Sequence, residues 1–359
     1  VEVWKHNPII GSGVETFAYS YYQYRPKEHN LVSEWDFLYN KAHNEYLNYA
    51  ANSGTLGIAT YLFLILVSIF IIWKSPGILS VSLLAGYFGI LVSNFFGFSV
   101  VNTNLQLFIY PAIAVALAER QSVRVEEREF KKLSTYQKTA IICLYFLALL
   151  IFYSIANYWY SDYLYVQGKQ ANTAGNHTRA VVTLQKATQI SPYEANYQSE
   201  LSQSYLGIAQ KYLAETNQTV TEEALKNTVI ASNEAIRMSP RNTVILKSRS
   251  NTFSDLSEFD PSYILVSIQT LEKLKIYSPT DAQVFNKLGL AYAKAGKMDE
   301  AVTNLKTAID LKPNYKNARL LLGIIYKNTD RPKEAKDQFL YILKNIAPND
   351  EQTKKELSL

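Results

Sequence analysis

Residues 43–74 read HNEYLNYAANSGTLGIATYLFLILVSIFIIWK, and the second half of this stretch decides the fold class. From Tyr46 to Trp73 there is no Asp, Glu, Lys or Arg. About 20 apolar residues are enough for a helix to cross the hydrocarbon core of a bilayer. The first half is polar and places a titratable side chain, His43, at the mouth of that helix. Gly54 and Gly57 stand where the two halves join, and residues this small let helices pack closely.

Outward from this stretch, the chain stays uncharged between Lys74 and Glu119. Hydrophobic segments lie at about 55–73, 78–96 and 103–118, and a fourth at about 139–157. A single run of this kind also suits a buried soluble helix, whereas four in succession favour a membrane. The basic residues orient them. Lys74 follows the first segment, and Arg120, Arg124, Arg128, Lys131, Lys132 and Lys138 follow the third, while 97–103 has none. Loops rich in Lys and Arg stay cytoplasmic. Residues 74–77 and 119–138 are therefore expected inside, with 1–54, 97–103 and everything beyond about 158 outside. Many of the 27 tyrosines flank the apolar runs, as in membrane-interface belts.

Composition narrows the function classes. The chain has 359 residues, long enough for two or three domains. Its net charge of +5 is spread along the sequence, which argues against nucleic acid as a partner. The one cysteine, Cys143, lies in an apolar run and excludes a disulfide framework or a cysteine metal site. No metal or cofactor is expected. Val1 falls in a plausible loop, so a longer protein with further N-terminal sequence is expected. Residues 1–53 are polar and Tyr-rich, unlike a cleavable signal peptide.

The C-terminal half repeats itself. Prolines recur at 192, 240, 279, 313 and 348, the last three 34 and 35 residues apart. Phe285, Leu288, Gly289, Tyr292, Ala301, Leu305, Ala308 and Pro313 stand at fixed offsets. Leu322, Gly323, Tyr326, Ala335 and Phe339 repeat them, as do Leu164, Gly168, Ala180, Leu184, Ala187 and Pro192 earlier. The pattern resembles the tetratricopeptide repeat, a helix–turn–helix unit of 34 residues whose copies stack into a superhelix. About five units are expected, the middle ones degenerate, with an insertion near 216–221. The array could bind a peptide, protein or glycan, or serve as a rigid spacer. The expected fold is all-α: about four transmembrane helices followed by a tetratricopeptide-repeat superhelix. The expected domains are an extracytoplasmic loop (1–54), membrane helices (55–118), a basic loop (119–138), a last membrane helix (139–158) and the repeats (161–350).

The outer loop holds the candidate chemistry. Asn7-Pro8-Ile9-Ile10-Gly11-Ser12-Gly13 forms a tight turn able to approach a partner closely. Asn40 is a suitable N-cap, which would put His43 in the first turn of a helix. The positive end of that helix favours a neutral imidazole, the form a general base needs, and attracts phosphate. On such a helix Glu45, Asn48 and Asn52 share one face. Arg25 and Lys27 could hold a pyrophosphate through charge-assisted bonds. Each has a plainer alternative. His43 could be an interface or capping residue, Arg25 and Lys27 ordinary surface charges, and Glu45 a partner of the helix dipole or of His43. Tyr19, Tyr21, Tyr22 and Tyr24 could stack on sugars or sit at the interface. His6 and His29 have no partner recognisable in the sequence.

His43-Asn44 followed by Gly54 and Gly57 resembles the signature of the O-antigen ligase family, grouped with O-antigen polymerases and bacterial protein O-oligosaccharyltransferases. The stretch Asn7 to Val14, with Phe17, is similar to that family's opening of the same periplasmic loop. The resemblance covers about 4–118 as a catalytic half and 161–348 as accessory repeats. It implies a membrane glycosyltransferase of the bacterial inner membrane that works without nucleotide sugar or metal. Such an enzyme moves a glycan from undecaprenyl pyrophosphate to an acceptor hydroxyl on a lipid or protein. His43 matches the family's essential histidine. Arg25, with Lys27, Asn44 and Glu45, is a candidate for substrate binding. The family has more spanning segments than the four seen here. The alternative from another class is a non-enzymatic membrane scaffold whose repeats recruit envelope or exported proteins.

Overall fold

A computed structural model describes residues 1–75, 77–122, 134–215 and 217–358. Every regular element among the described residues is helical. The chain divides into two compact units, one of residues 1–24 and 37–132, the other of 25–36 and 133–359.

The first unit contains α1 (Glu2–His6), α2 (Phe17–Tyr24), α3 (Glu45–Lys74), α4 (Ile78–Phe96) and α5 (Val101–Ser122). Helices α3 and α4, and α5 as far as Ala118, are long and apolar enough to cross a membrane. They contain the segments expected at 55–73, 78–96 and 103–118. Tyr61, Ile65, Ile72, Tyr87, Ile90, Leu107 and Ala114 form their shared core. Two serines buried beside this core bond to main-chain carbonyls, as a low-dielectric setting favours. Ser75 Oγ donates to the Ala114 carbonyl (3.1 Å), and Ser80 Oγ to the Ile72 carbonyl (2.5 Å).

Two local expectations change. The N-cap of α3 is Asn44, not Asn40: its side chain accepts from the Leu47 amide at 2.9 Å. His43 therefore precedes the helix instead of lying in its first turn. Gly54 is not a packing glycine inside a regular helix. Its φ of 66° and ψ of −164° break α3 there.

The second unit begins with a capping box at Ser134 and Gln137, which starts α6 (Thr135–Thr173). At 1.5 Å per residue this helix is about 58 Å long. Its apolar part is the fourth helix able to span a membrane. Its last turns bury Leu164, Gly168 and Ala171. The expected step from last span to repeats, near 158–161, thus falls inside one continuous helix. Of the expected loop at 119–138, residues 123–133 lie outside the described residues. The flanking 119–122 close α5, and 135–138 open α6.

Five antiparallel pairs follow among the described residues: the end of α6 with α7 (His177–Ile190), α8 (Ala195–Ala214) with α9 (Gln218–Met238), α10 (Thr243–Leu256) with α11 (Ile264–Tyr277), α12 (Ala282–Lys294) with α13 (Met298–Leu311), and α14 (Lys316–Asn328) with α15 (Pro332–Asn345). A short α16 (Glu351–Ser358) packs on α15. The motif glycines explain the pairing. A Cβ on Gly168, Gly289 or Gly323 would overlap Leu184, Leu305 or Phe339 of the paired helix. Prolines 192, 240, 279, 313 and 348 each fall shortly after a second helix ends, where a missing N–H stops further helix. The insertion expected near 216–221 is taken up as helix: α8 and α9 have 20 and 21 residues, and Gln218–Thr221 is the first turn of α9. Thr216 lies outside the described residues.

Candidate functional site

The two outer-loop motifs meet in the first unit. The turn at 8–13 lies against the break in α3 and is held by main-chain bonds. The Ser12 amide donates to the Ala51 carbonyl (2.9 Å) and the Gly13 amide to the Asn52 carbonyl (3.0 Å). In return the Thr55 amide donates to the Pro8 carbonyl (2.8 Å) and the Leu56 amide to the Ile9 carbonyl (3.2 Å). The break leaves helix amides and carbonyls without intrahelical partners, and the turn supplies those partners. The glycines are required by this contact. Gly11 and Gly54 both have positive φ, 71° and 66°. A Cβ on Gly11 would overlap the Asn52 backbone, and one on Gly54 the Ile9 carbonyl.

His43 is exposed, immediately before the N-cap. Its ring meets Phe98 edge-on, with centroids 5.5 Å apart, and lies 6.4 Å from Tyr39. Lys41 Nζ is 5.8 Å from the same Phe98 ring and 3.7 Å from a Glu15 carboxylate oxygen. An imidazole and an ammonium therefore flank one aromatic side chain. Phe98, from the expected outer loop 97–103, has no motif that marks it in the sequence.

Asn44 and Glu45 have structural partners. Asn44 caps α3 with its oxygen while its Nδ2 donates to the Phe95 carbonyl (2.8 Å). Glu45 accepts from the Ser99 amide (3.2 Å), and Ser99 Oγ donates to Asn94 Oδ1 (2.9 Å). Glu45, Asn48 and Asn52 form one buried face, as the spacing predicts. These bonds fix the loops on either side of His43. In the tyrosine cluster, Tyr22 is buried with its hydroxyl donating to the Phe37 carbonyl (3.3 Å), and Tyr24 stacks on His6.

Arg25 and Lys27 belong to the other unit. Arg25 is buried, and its guanidinium donates to Asn30 Oδ1 at 2.5 Å. Lys27 is exposed and opens a 3₁₀ turn, Lys27–Leu31. Residues 25–36 lie along the turns that follow α11 and α13. Asn30 Nδ2 donates to the Thr280 carbonyl (2.8 Å), Thr280 Oγ1 to the Arg25 carbonyl (2.8 Å), and Lys312 Nζ to the Asn30 carbonyl (2.6 Å). Lys312 Nζ also lies 4.4 Å from the Trp35 ring centre, and Trp35 packs edge-on against Tyr315. Burial pulls the Lys312 ammonium below its usual range and pushes the Tyr315 hydroxyl up to about 12. None of Asn30, Trp35 and Lys312 belongs to a motif in the sequence.

The array also holds a polar cavity of about 380 Å³ between its first helices, lined by Asn172, His177, Glu200, Gln203, Asn251 and Asp255 among others. Asn172 bridges His177 Nδ1 (2.7 Å) and Glu200 (2.7 Å). Burial raises the Asp255 carboxyl and lowers the nearby Lys287 ammonium. No group of three or more His, Cys, Asp or Glu suited to a metal ion occurs among the described residues.

Residues 290–330 match the family model of the TPR repeat, the tetratricopeptide unit. No curated protein matches the chain. Among solved structures the chain is similar to TTC0263, a thermophilic TPR protein of Thermus thermophilus, at 20% identity and a TM-score of 0.39, over 55% of this chain and 97% of that one. It is also similar to MamA of Desulfovibrio magneticus RS-1, at 16% identity and a TM-score of 0.42, over 53% and 97%.

Proposed function

We propose that this chain acts as a membrane glycosyltransferase of the O-antigen ligase and polymerase type, on the outer face of the bacterial inner membrane, with its tetratricopeptide repeats as an interaction module. The observation that carries this reading is the junction of the two motifs. Four main-chain bonds seat the 8–13 turn in the Gly54 break of α3, and His43 stands exposed at the start of that same helix. In this reading the His43 imidazole takes the proton from an acceptor hydroxyl. The acceptor oxygen forms a bond to the anomeric carbon of a glycan carried on undecaprenyl pyrophosphate. The bond from that carbon to the pyrophosphate breaks, and the pyrophosphate leaves with the electron pair. Lys41, whose Nζ lies 5.8 Å from the same Phe98 ring that His43 meets, supplies positive charge for the departing group. Arg25, engaged with Asn30, is left out of the step.

Removing a general base costs about 10²–10⁴-fold in rate. His43→Ala in the full-length protein in membranes is expected to lose transfer of the lipid-linked glycan by at least that lower bound, with insertion and thermal stability unchanged. Normal transfer by this variant overturns the assignment.

A non-enzymatic scaffold is the second reading, and the TPR match at 290–330 favours it. It predicts that membranes carrying the wild-type protein transfer no glycan while the repeats still capture an envelope protein. The acceptor, whether lipid or protein, would then be a partner of the array and not a substrate.

A further inference from the structure

We propose that the edge of the array formed by the Ser278–Asp281 and Lys312–Tyr315 turns is a peptide-recognition site, filled in this chain by its own Arg25–Asp36 segment and reading Asn30. Asn30 is fully buried, and its carboxamide is used on both sides. Nδ2 donates to the Lys27 and Thr280 carbonyls (2.9 and 2.8 Å), while Oδ1 accepts from Arg25 and lies 3.5 Å from the Ala282 amide. A carboxylate at this place would offer no donor to two carbonyls, so the site selects an amide.

The groups that do the reading lie at helix ends. The Ala282 amide opens α12, Thr280 lies in the turn before it, and Lys312 caps the end of α13. Helix ends and turns carry backbone groups left without intrahelical partners, free to bond a docked segment. The edge is specific to this part of the array. Earlier turns read Ser191-Pro192-Tyr193-Glu194 and Ser239-Pro240-Arg241-Asn242, with exposed Tyr193 and Arg241 where Thr280 donates to the Arg25 carbonyl. The Trp35 ring covers Lys312, five residues after Asn30. The recognised chemistry is thus a carboxamide on a single 3₁₀ turn and an aromatic side chain five residues later. A partner protein presenting that pattern would compete with the segment.

The test uses the full-length protein and a labelled synthetic peptide of residues 25–36. A tethered segment acts at an effective concentration of about millimolar, so the wild type should exclude the peptide at tens of micromolar. Asn30→Ala should free the tethered segment, raising amide exchange across 26–36 by about tenfold or more. The same variant should then bind the added peptide, and a peptide carrying Asn30→Asp should bind it about tenfold more weakly or worse. Unchanged exchange in α12–α15 shows that the array remains folded. Lys312→Met should free the segment and also weaken peptide binding. Three results overturn the proposal: equal exchange of 26–36 in the wild type and both variants, equal peptide uptake by the wild type and Asn30→Ala, or full binding of the Asn30→Asp peptide. None of these readouts depends on glycan transfer, so they fail separately from the proposed activity.

Discussion

The two units differ in what they leave on their surfaces. In α3–α5 many large apolar residues outside the shared core point outward: Phe63, Leu66 and Trp73 are each about two-thirds exposed, while Ser68, Ser80 and Asn94 are buried. In the array Leu184, Leu288 and Leu305 are wholly buried, and the surface carries ion pairs such as Arg237–Glu234 and Arg331–Glu334. The difference is the one expected if α3–α5 lie in lipid and the array in water. In water, apolar burial drives helices together. In lipid it supplies no such drive, and close packing with internal hydrogen bonds takes its place. Helix α6 contains both regimes: Leu147 and Phe152 are exposed in its apolar part, and Leu164 and Ala171 are buried in its last turns.

Leucine truncation breaks this comparison most directly. Leu305→Ala leaves a cavity against Gly289 and should destabilise the array by about 3 kcal/mol. Leu66→Ala should change stability by less than about 0.5 kcal/mol, as for a side chain mostly outside the protein interior. Thermal unfolding of the full-length protein in lipid bilayers, followed separately in the two units, checks both. An equal loss at Leu66 would mean that protein, not lipid, covers the outer face of α3. Glycine sharpens the contrast. Gly54 and Gly296 both have positive φ, 66° and 75°, but Gly296 has open space where a Cβ would go. Gly296→Ala should cost about 1 kcal/mol of backbone strain alone. Gly54→Ala adds the overlap with the Ile9 carbonyl and should cost about 2 kcal/mol. It should also raise amide exchange at Thr55 and Leu56, whose bonds hold the 8–13 turn.

The same contrast explains what the sequence made legible. Uncharged runs mark α3–α6 because each is long and its flanks are charged or rich in tyrosine. Repeat offsets mark the pairs because each glycine must admit one large side chain from the paired helix. The meeting of the 8–13 turn with Gly54 leaves no such mark, since backbone bonds need no particular side chain. For the same reason Gly54 reads equally well as a packing glycine and as a helix break. Asn40 and Asn44 are chemically identical caps. Long-range bonding favours Asn44, whose Nδ2 reaches the Phe95 carbonyl. The docked 25–36 segment is the least legible feature. Asn30 meets Thr280 and Lys312 some 250 and 282 positions away, through an amide that no local pattern singles out. Arg25, read from the sequence as a possible anion ligand, donates through one guanidinium nitrogen to that same amide.

Charge supplies the smallest and last contrast, because the apolar helices α3–α5 hold no ion pair among the described residues and the array holds several. At its C-terminal end Asp350 accepts from Lys316 Nζ (2.6 Å), the Thr353 hydroxyl (2.6 Å) and the Thr353 amide (3.1 Å). These bonds, the Lys316 contact first, hold the Asp350 carboxyl down at about 2 against an ordinary 3.8. A depressed acid stabilises the fold fully above its unfolded value and loses that contribution as pH falls through its folded value. The attachment of α16 should therefore be intact above about pH 4 and weaken between about pH 4 and pH 2, whereas the helix packing of α3–α5 should not change over that interval. Asp350→Asn should remove most of this dependence and cost about 1 kcal/mol at neutral pH, the usual scale for loss of a helix-capping carboxylate. Amide exchange across Glu351–Ser358, measured against exchange in α3 on the same sample, decides it. If α16 loosens equally in the variant and the wild type on acidification, another group controls that end of the array.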